Sequence, residues 1–148
     1  MIIIKPDGIQ RRLAGDIIGR FERKGFKLVA AKFMQIPEEL SRKVYAVHKG
    51  KPFFEPLTKL LSSSPVLVIV WEARNVIDMT RKIIGATSGF DAPMGTIRGD
   101  FGCSTRYNLA HSSDSPESAE YEIKLLFRPD EIIDYKLTDE KWLYCKND

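Results

Sequence analysis

Apolar residues along this chain fall into short continuous runs separated by stripes at helical spacing. Ile2-Ile3-Ile4 predicts a buried first strand, ended by the turn-forming Pro6-Asp7-Gly8. Leu13, Ile17, Ile18 and Phe21 share one face of a helix predicted over 14–24, with Gly25 as its stop. Residues 27–36 are rich in β-formers and read as a second strand. Pro37-Glu38-Glu39 opens a helix carrying Leu40, Val44, Tyr45 and His48 before Gly50 ends it, and 53–61 reads as another short helix. The run from Val66 to Val70 is apolar and largely β-branched, as in a central strand covered on both faces.

Further on, 75–84 reads as a helix and 86–95 as an irregular loop, with Arg98 in a glycine-bracketed turn and 107–111 as a strand. Ser115-Pro116-Glu117 supplies an N-cap residue, a proline at the first helical position and an acid in the first turn. The helix it opens should run to about Phe127. Strands and helices therefore alternate around one sheet, which predicts an α/β two-layer sandwich in one domain spanning 1–148.

Composition narrows the setting. The 148 residues are 43% hydrophobic and 29% charged with a net charge of +3, which suits an anionic small molecule and does not by itself imply a nucleic-acid surface. Cys103 and Cys145 lack any CxxC context, so no disulfide framework is expected and a reducing compartment is the default. No secretory signal is visible, and the longest interior apolar run is far below the roughly 18 residues of a membrane span. A cytoplasmic or nucleocytoplasmic location, with no membrane partner, is expected.

Histidine is scarce, at His48 and His111 only. His111 lies in Asn108-Leu109-Ala110-His111-Ser112-Ser113-Asp114, where a strand runs into a helix start, and helix starts attract phosphate. Ser113 and Asp114 can hydrogen-bond there or simply cap the helix. Ala119, Glu122, Ile123 and Leu126 share one helical stripe, so a carboxylate sits among apolar residues. A buried carboxylate is costly unless partnered. Pairing with His111 would fix the ring tautomer and free the other nitrogen for attack. A Glu at the stripe's edge, bonded to water or backbone, stands equally open from the pattern alone. Arg81 borders the buried face of its helix, and Arg98 joins it as a candidate phosphate fork, although spacing does not show that they converge.

Several tempting motifs fail. Asp100-Phe101-Gly102 lacks the Gly-rich and His-Arg-Asp loops that accompany it in protein kinases. There is no P-loop, no G-x-G-x-x-G and no His/Cys cluster with metal spacing.

Five segments in order, however, resemble the nucleoside diphosphate kinase family over nearly the whole chain. They are Ile4-Lys5-Pro6-Asp7-Gly8, Lys51-Pro52-Phe53-Phe54, Val70-Trp71-Glu72, Gly95-Thr96-Ile97-Arg98-Gly99-Asp100-Phe101 and Asn108-x-x-His111-x-Ser113-Asp114. The resemblance implies a ferredoxin-like βαββαβ sandwich with an antiparallel sheet, assembled into a homo-oligomer, commonly a hexamer. It implies ping-pong transfer of a γ-phosphate from a nucleoside triphosphate to a nucleoside diphosphate through phosphorylated His111.

By the same resemblance, Glu122 and Ser113 orient that histidine and Tyr45 lies beside it. Arg81, Thr87 and Arg98 hold phosphates, Lys5 and Asn108 contact sugar and phosphate, and Phe53 stacks on the base. His48 lies near the phosphates. Mg²⁺ arrives on the nucleotide, with Asp114 as an outer-shell partner. The chain departs from the family pattern at Ser112, where Gly or Ala is usual, at Val47, where an acid is usual, and in the loop 88–94, which lacks a proline at Gly89 and carries Met94 before Gly95. A non-catalytic scaffold or nucleic-acid-binding relative and a histidine phosphocarrier are the competing readings.

Overall fold

The computed structural model describes residues 1–145. Its described strands are β1 (Ile2–Ile4), β2 (Lys27–Met34), β3 (Val66–Glu72) and β4 (Ala110–Ser112). They form one sheet in the order β2–β3–β1–β4, with every neighbouring pair antiparallel. Helix α2 (Ala14–Arg23) crosses between β1 and β2, and α5 (Val76–Ile84) between β3 and β4. This is the ferredoxin-like βαββαβ arrangement.

Side-chain alternation on β1 and β3 sends apolar groups to both faces of the sheet. Ile2, Ile4, Ile69 and Trp71 pack with Ile17 and Phe21 of α2 and Ile84 of α5. Ile3, Val66, Val68 and Val70 pack with Val44, Phe54, Leu61 and Leu126. Those four residues come from α3 (Glu38–Val44), α4 (Phe54–Ser62) and α7 (Pro116–Leu126), which cover the second face. Burial from both sides explains why both strands read as continuous apolar runs. Ile2, Ile3 and Ile4 are wholly inaccessible to solvent.

Four local readings change. Residues 6–10 form helix α1 (Pro6–Gln10), with proline at its start and Asp7 in its first turn, where a turn was expected. A proline with φ preset for a helix and an acid at the positive end of the dipole favour helix over turn. Helix α3 stops before Tyr45, and Ala46–His48 form a tighter 3-10 turn. Arg98 lies in helix α6 (Ile97–Phe101), not in a turn, because Thr96 Oγ1 caps that helix by accepting from Gly99 N–H at 3.0 Å. The last strand begins only at Ala110, because Leu109 has a φ of +72° and cannot continue an extended chain.

Two glycines press backbone against backbone near the site. A Cβ at Gly99 would sit 2.0 Å from the carbonyl oxygen of Pro93, and one at Gly89 2.4 Å from that of Gly102. The loop 88–94 thus packs where proline's own Cβ would not fit at residue 89.

Candidate active site

His111 pairs with Ile3 in the strand ladder, which sets its backbone on the sheet edge beside α7. Its Nε2 lies 2.9 Å from Glu122 Oε1, and Ser113 Oγ donates to Glu122 Oε2 at 2.6 Å. Glu122 is buried, so its oxygens find their partners in these two groups rather than in bulk water. A carboxylate accepts, so the imidazole N–H resides on Nε2 and the Nδ1 lone pair is free. Nδ1 has no hydrogen-bond partner among the described residues.

Tyr45 is buried and meets His111 edge to face, with ring centroids 5.3 Å apart and planes at 89°. Burial, helped by Glu122, raises its phenol well above the ordinary range and keeps the O–H protonated. His48 stacks beside Tyr45 at 6.2 Å. Burial first, then Lys51 and His111, lowers the pKa of His48, while Asp114 opposes them.

Two cations form the floor. Lys5, at the end of β1, is 2% exposed and donates to Asn108 Oδ1 at 2.8 Å and Arg106 O at 2.6 Å. Burial, reinforced by Arg98 and opposed by Asp7, pushes it down to about 8. Arg98 donates from Nε to Asn108 O at 3.1 Å and through its two terminal nitrogens to Gly85 O at 3.1 Å and Ala110 O at 2.6 Å. Burial, with a contribution from Arg81, lowers it to about 10. Both remain mainly charged at neutral pH. Lys5 keeps one N–H unused and Arg98 two.

Asn108 is a bridge. Its Oδ1 takes the lysine, and its Nδ2 donates to Thr87 O at 2.8 Å. Leu109 follows at φ +72°, and the Ala110 N–H donates back to Asn108 O at 2.8 Å. That closes a three-residue γ-turn of the rare positive-φ kind, a strained geometry worth roughly 1–3 kcal/mol.

The rim completes the cleft. Its volume is about 1060 Å³, and its lining includes Lys5, Tyr45, Phe53, Arg81, Thr87, Arg98, Asn108, His111, Asp114 and Glu122. Ser113 is buried behind His111 and does not line it. Arg81 is exposed and makes no hydrogen bond or ion pair among the described residues, and Thr87 is exposed as well. Phe53 stands at the mouth, half exposed, with the Lys51 ammonium 5.7 Å from its ring centre and His48 against its edge. Asp114 accepts from Ser118 Oγ at 2.7 Å, which lowers its pKa.

The sequence-derived set is thus brought together, with Ser113 acting from behind the ring. The reading missed Asp7, whose Oδ2 accepts from Leu109 N–H at 2.8 Å. A signal existed in the proline-then-acid helix start, but the partner lies 102 residues away.

A family model described as nucleoside diphosphate kinase matches residues 1–132. A nucleoside diphosphate kinase of Staphylococcus epidermidis is 51% identical, with 97% of this chain and 96% of that protein covered. One of Carboxydothermus hydrogenoformans is 50% identical with the same coverage. A solved structure described as a halophilic nucleoside diphosphate kinase from Halobacterium salinarum in complex with CDP superposes with a TM-score of 0.93. It is 45% identical, and the match covers 97% of this chain and 95% of that one.

Proposed function

This chain belongs to the nucleoside diphosphate kinase family and moves a terminal phosphate from a nucleoside triphosphate to a nucleoside diphosphate, and we propose that it does so by ping-pong transfer through His111. The observation that carries this reading is the split environment of one ring, with Nε2 held by buried Glu122 and Nδ1 unpartnered in a cation-lined cleft.

The chemistry follows from that split. The Nδ1 lone pair attacks the γ-phosphorus, the bond to the β,γ-bridging oxygen breaks, and the nucleoside diphosphate leaves with the electron pair. No proton has to move. The phosphorylated ring keeps its Nε2 proton and so carries positive charge, which Glu122 balances at 2.9 Å. The next diphosphate reverses these steps. Lys5, Arg81 and Arg98 face the charge that builds on the transferring group, where a placed arginine contributes on the order of 10³ in rate.

Phe53 offers its ring to the base without base-edge hydrogen bonds, which suits broad base tolerance. The CDP held by the halobacterial relative supports a nucleotide in this cleft. Asp114 lines the cleft and would serve as an outer-shell partner for Mg²⁺ carried on the phosphate oxygens of the nucleotide, because Mg²⁺ keeps water and phosphate ligands. When bound, the ion neutralises phosphate charge. Cys103 and Cys145, both exposed, suit a reducing, cytoplasmic setting. We also infer a homo-oligomer, a hexamer by family resemblance, supported by the exposure of Phe33 on the edge strand β2 and of Phe90 and Met94 in the loop.

Incubation with γ-labelled ATP tests the reading. It should give an acid-labile, base-stable phosphoprotein that GDP or UDP discharges. Labelling that persists in His111→Ala overturns the site, and failure of discharge favours a protein phosphocarrier instead.

A further inference from the structure

Asp7 is a carboxylate beneath this site that the mechanism above does not use. It grips the strained backbone beside the cleft: its Oδ2 accepts the N–H of Leu109, while the Leu109 carbonyl accepts from Lys5 N–H at 2.8 Å. The peptide groups on both sides of the positive-φ residue are therefore anchored from the first β–α junction, 102 residues away in sequence for the Asp7 bond. On either side of this turn lie Asn108, which orders Lys5 and Thr87, and His111. The second Asp7 oxygen, Oδ1, is buried with no hydrogen-bond partner among the described residues.

A structural carboxylate normally has both oxygens satisfied, because an orphaned one is costly. Among the described residues Asp7 is in ion-pair contact with neither Lys5 nor Arg98, yet its charge raises the pKa of both against the desolvation that lowers them. An anion that acts through space, without hydrogen-bonding to them, keeps the cations charged and leaves their N–H groups unoccupied.

We infer that Asp7 is a positioning residue for phosphoryl transfer: from beneath the γ-turn it fixes the spacing between Asn108 and His111 and leaves Lys5 and Arg98 free to take phosphate. This rests on the phosphotransfer reading. The charged and titratable groups around Lys5 are Asp7 from α1 and Arg98 from α6, with Tyr45, Arg81, His111 and Glu122 on the elements that close the cleft.

The test compares the full-length wild type with Asp7→Asn and Asp7→Ala, measuring kcat and KM for GDP against ATP across pH 6 to 9. The asparagine keeps an oxygen that can accept from Leu109 N–H but carries no charge, whereas alanine loses both. Asp7→Ala should lower kcat by roughly 10- to 100-fold, as a misplaced reacting group does. Asp7→Asn should keep kcat near the wild-type value at acid pH. The alkaline fall of its kcat/KM should move to lower pH than the wild-type fall near the Lys5 value of about 8.

If Asp7→Ala does not fold, the near-isosteric asparagine variant decides by its pH profile alone. Unchanged kcat, KM and pH profile per folded molecule, whatever the melting temperature, would overturn the inference. Equal losses in both variants at every pH would overturn it as well. Wild-type labelling by γ-labelled ATP and discharge by GDP serve as the control, so failure of the phosphotransfer reading is seen separately.

Discussion

A neutral imidazole with one nitrogen clamped and the other bare is oriented for attack before any substrate arrives. In this chain the clamp is a carboxylate 5% exposed, itself fixed by Ser113. Glu122→Gln keeps the shape but can present an amide N–H to Nε2 and favour the wrong tautomer. It should lower kcat by roughly 10²-fold with little change in KM, read from steady-state kinetics. Arg98→Lys replaces a fork that satisfies three carbonyls with a single ammonium. The phosphohistidine-forming step should slow by on the order of 10³, visible in rapid-quench labelling.

Lys5 gives a pH signature with two signs. Held near 8 when folded against 10.5 when unfolded, it has lost a proton between those values that the unfolded chain still binds. Its contribution to stability therefore rises with pH across that window, while nucleotide binding weakens above 8. Thermal melts should show the advantage of Lys5→Met over wild type shrinking from pH 8 to 10, and a constant gap contradicts this. At this scale the sequence was informative about Glu122, because a helical period places it on an apolar stripe. It was silent on whether Glu122 met His111, because the link crosses from strand to helix.

At the scale of elements, two helices aim the site. Helix α7 carries Glu122 and is capped by Ser115, whose Oγ accepts from Ser118 N–H at 3.1 Å. Ser115→Ala should cost about 1 kcal/mol. It should lower the melting temperature by about 2–4 °C while kcat holds, since Glu122 sits beyond the first turn. Helix α6 turns Arg98 inward, and Arg20 of α2 braces it by donating to Gly95 O at 2.8 Å and pairing with Asp100.

The long elements were legible because their periodicity extends over many residues. The short ones were not. Gly95 and Gly99 signalled a turn, although Thr96 caps a helix there. A leucine at residue 109 gives no local sign of a left-handed conformation, which distant Asp7 and Lys5 anchor. What local sequence lacks in such cases is the tertiary partner that outweighs propensity.

For the molecule as a whole, the sheet separates two apolar layers, and the cleft opens where the end of β1, the start of β4 and helices α5 to α7 meet. Side chains from residue 5 to residue 122 line it, so it exists only in the folded chain. Beyond the cleft, Phe33 is 64% exposed and Met94 83%. Light scattering should find an assembly near six times the 16.9 kDa chain, and a charge introduced by Phe33→Glu should shift it to smaller species.

The central claim is that Nδ1 of His111, freed by Glu122, carries the phosphoryl group. Phosphorus NMR of the ATP-treated, base-stabilised protein, alongside mass-spectrometric mapping, reads the bonded nitrogen directly. The account predicts one phosphoryl group on Nδ1 of His111. A phosphoryl on Nε2, on His48 or on a neighbouring serine would contradict it.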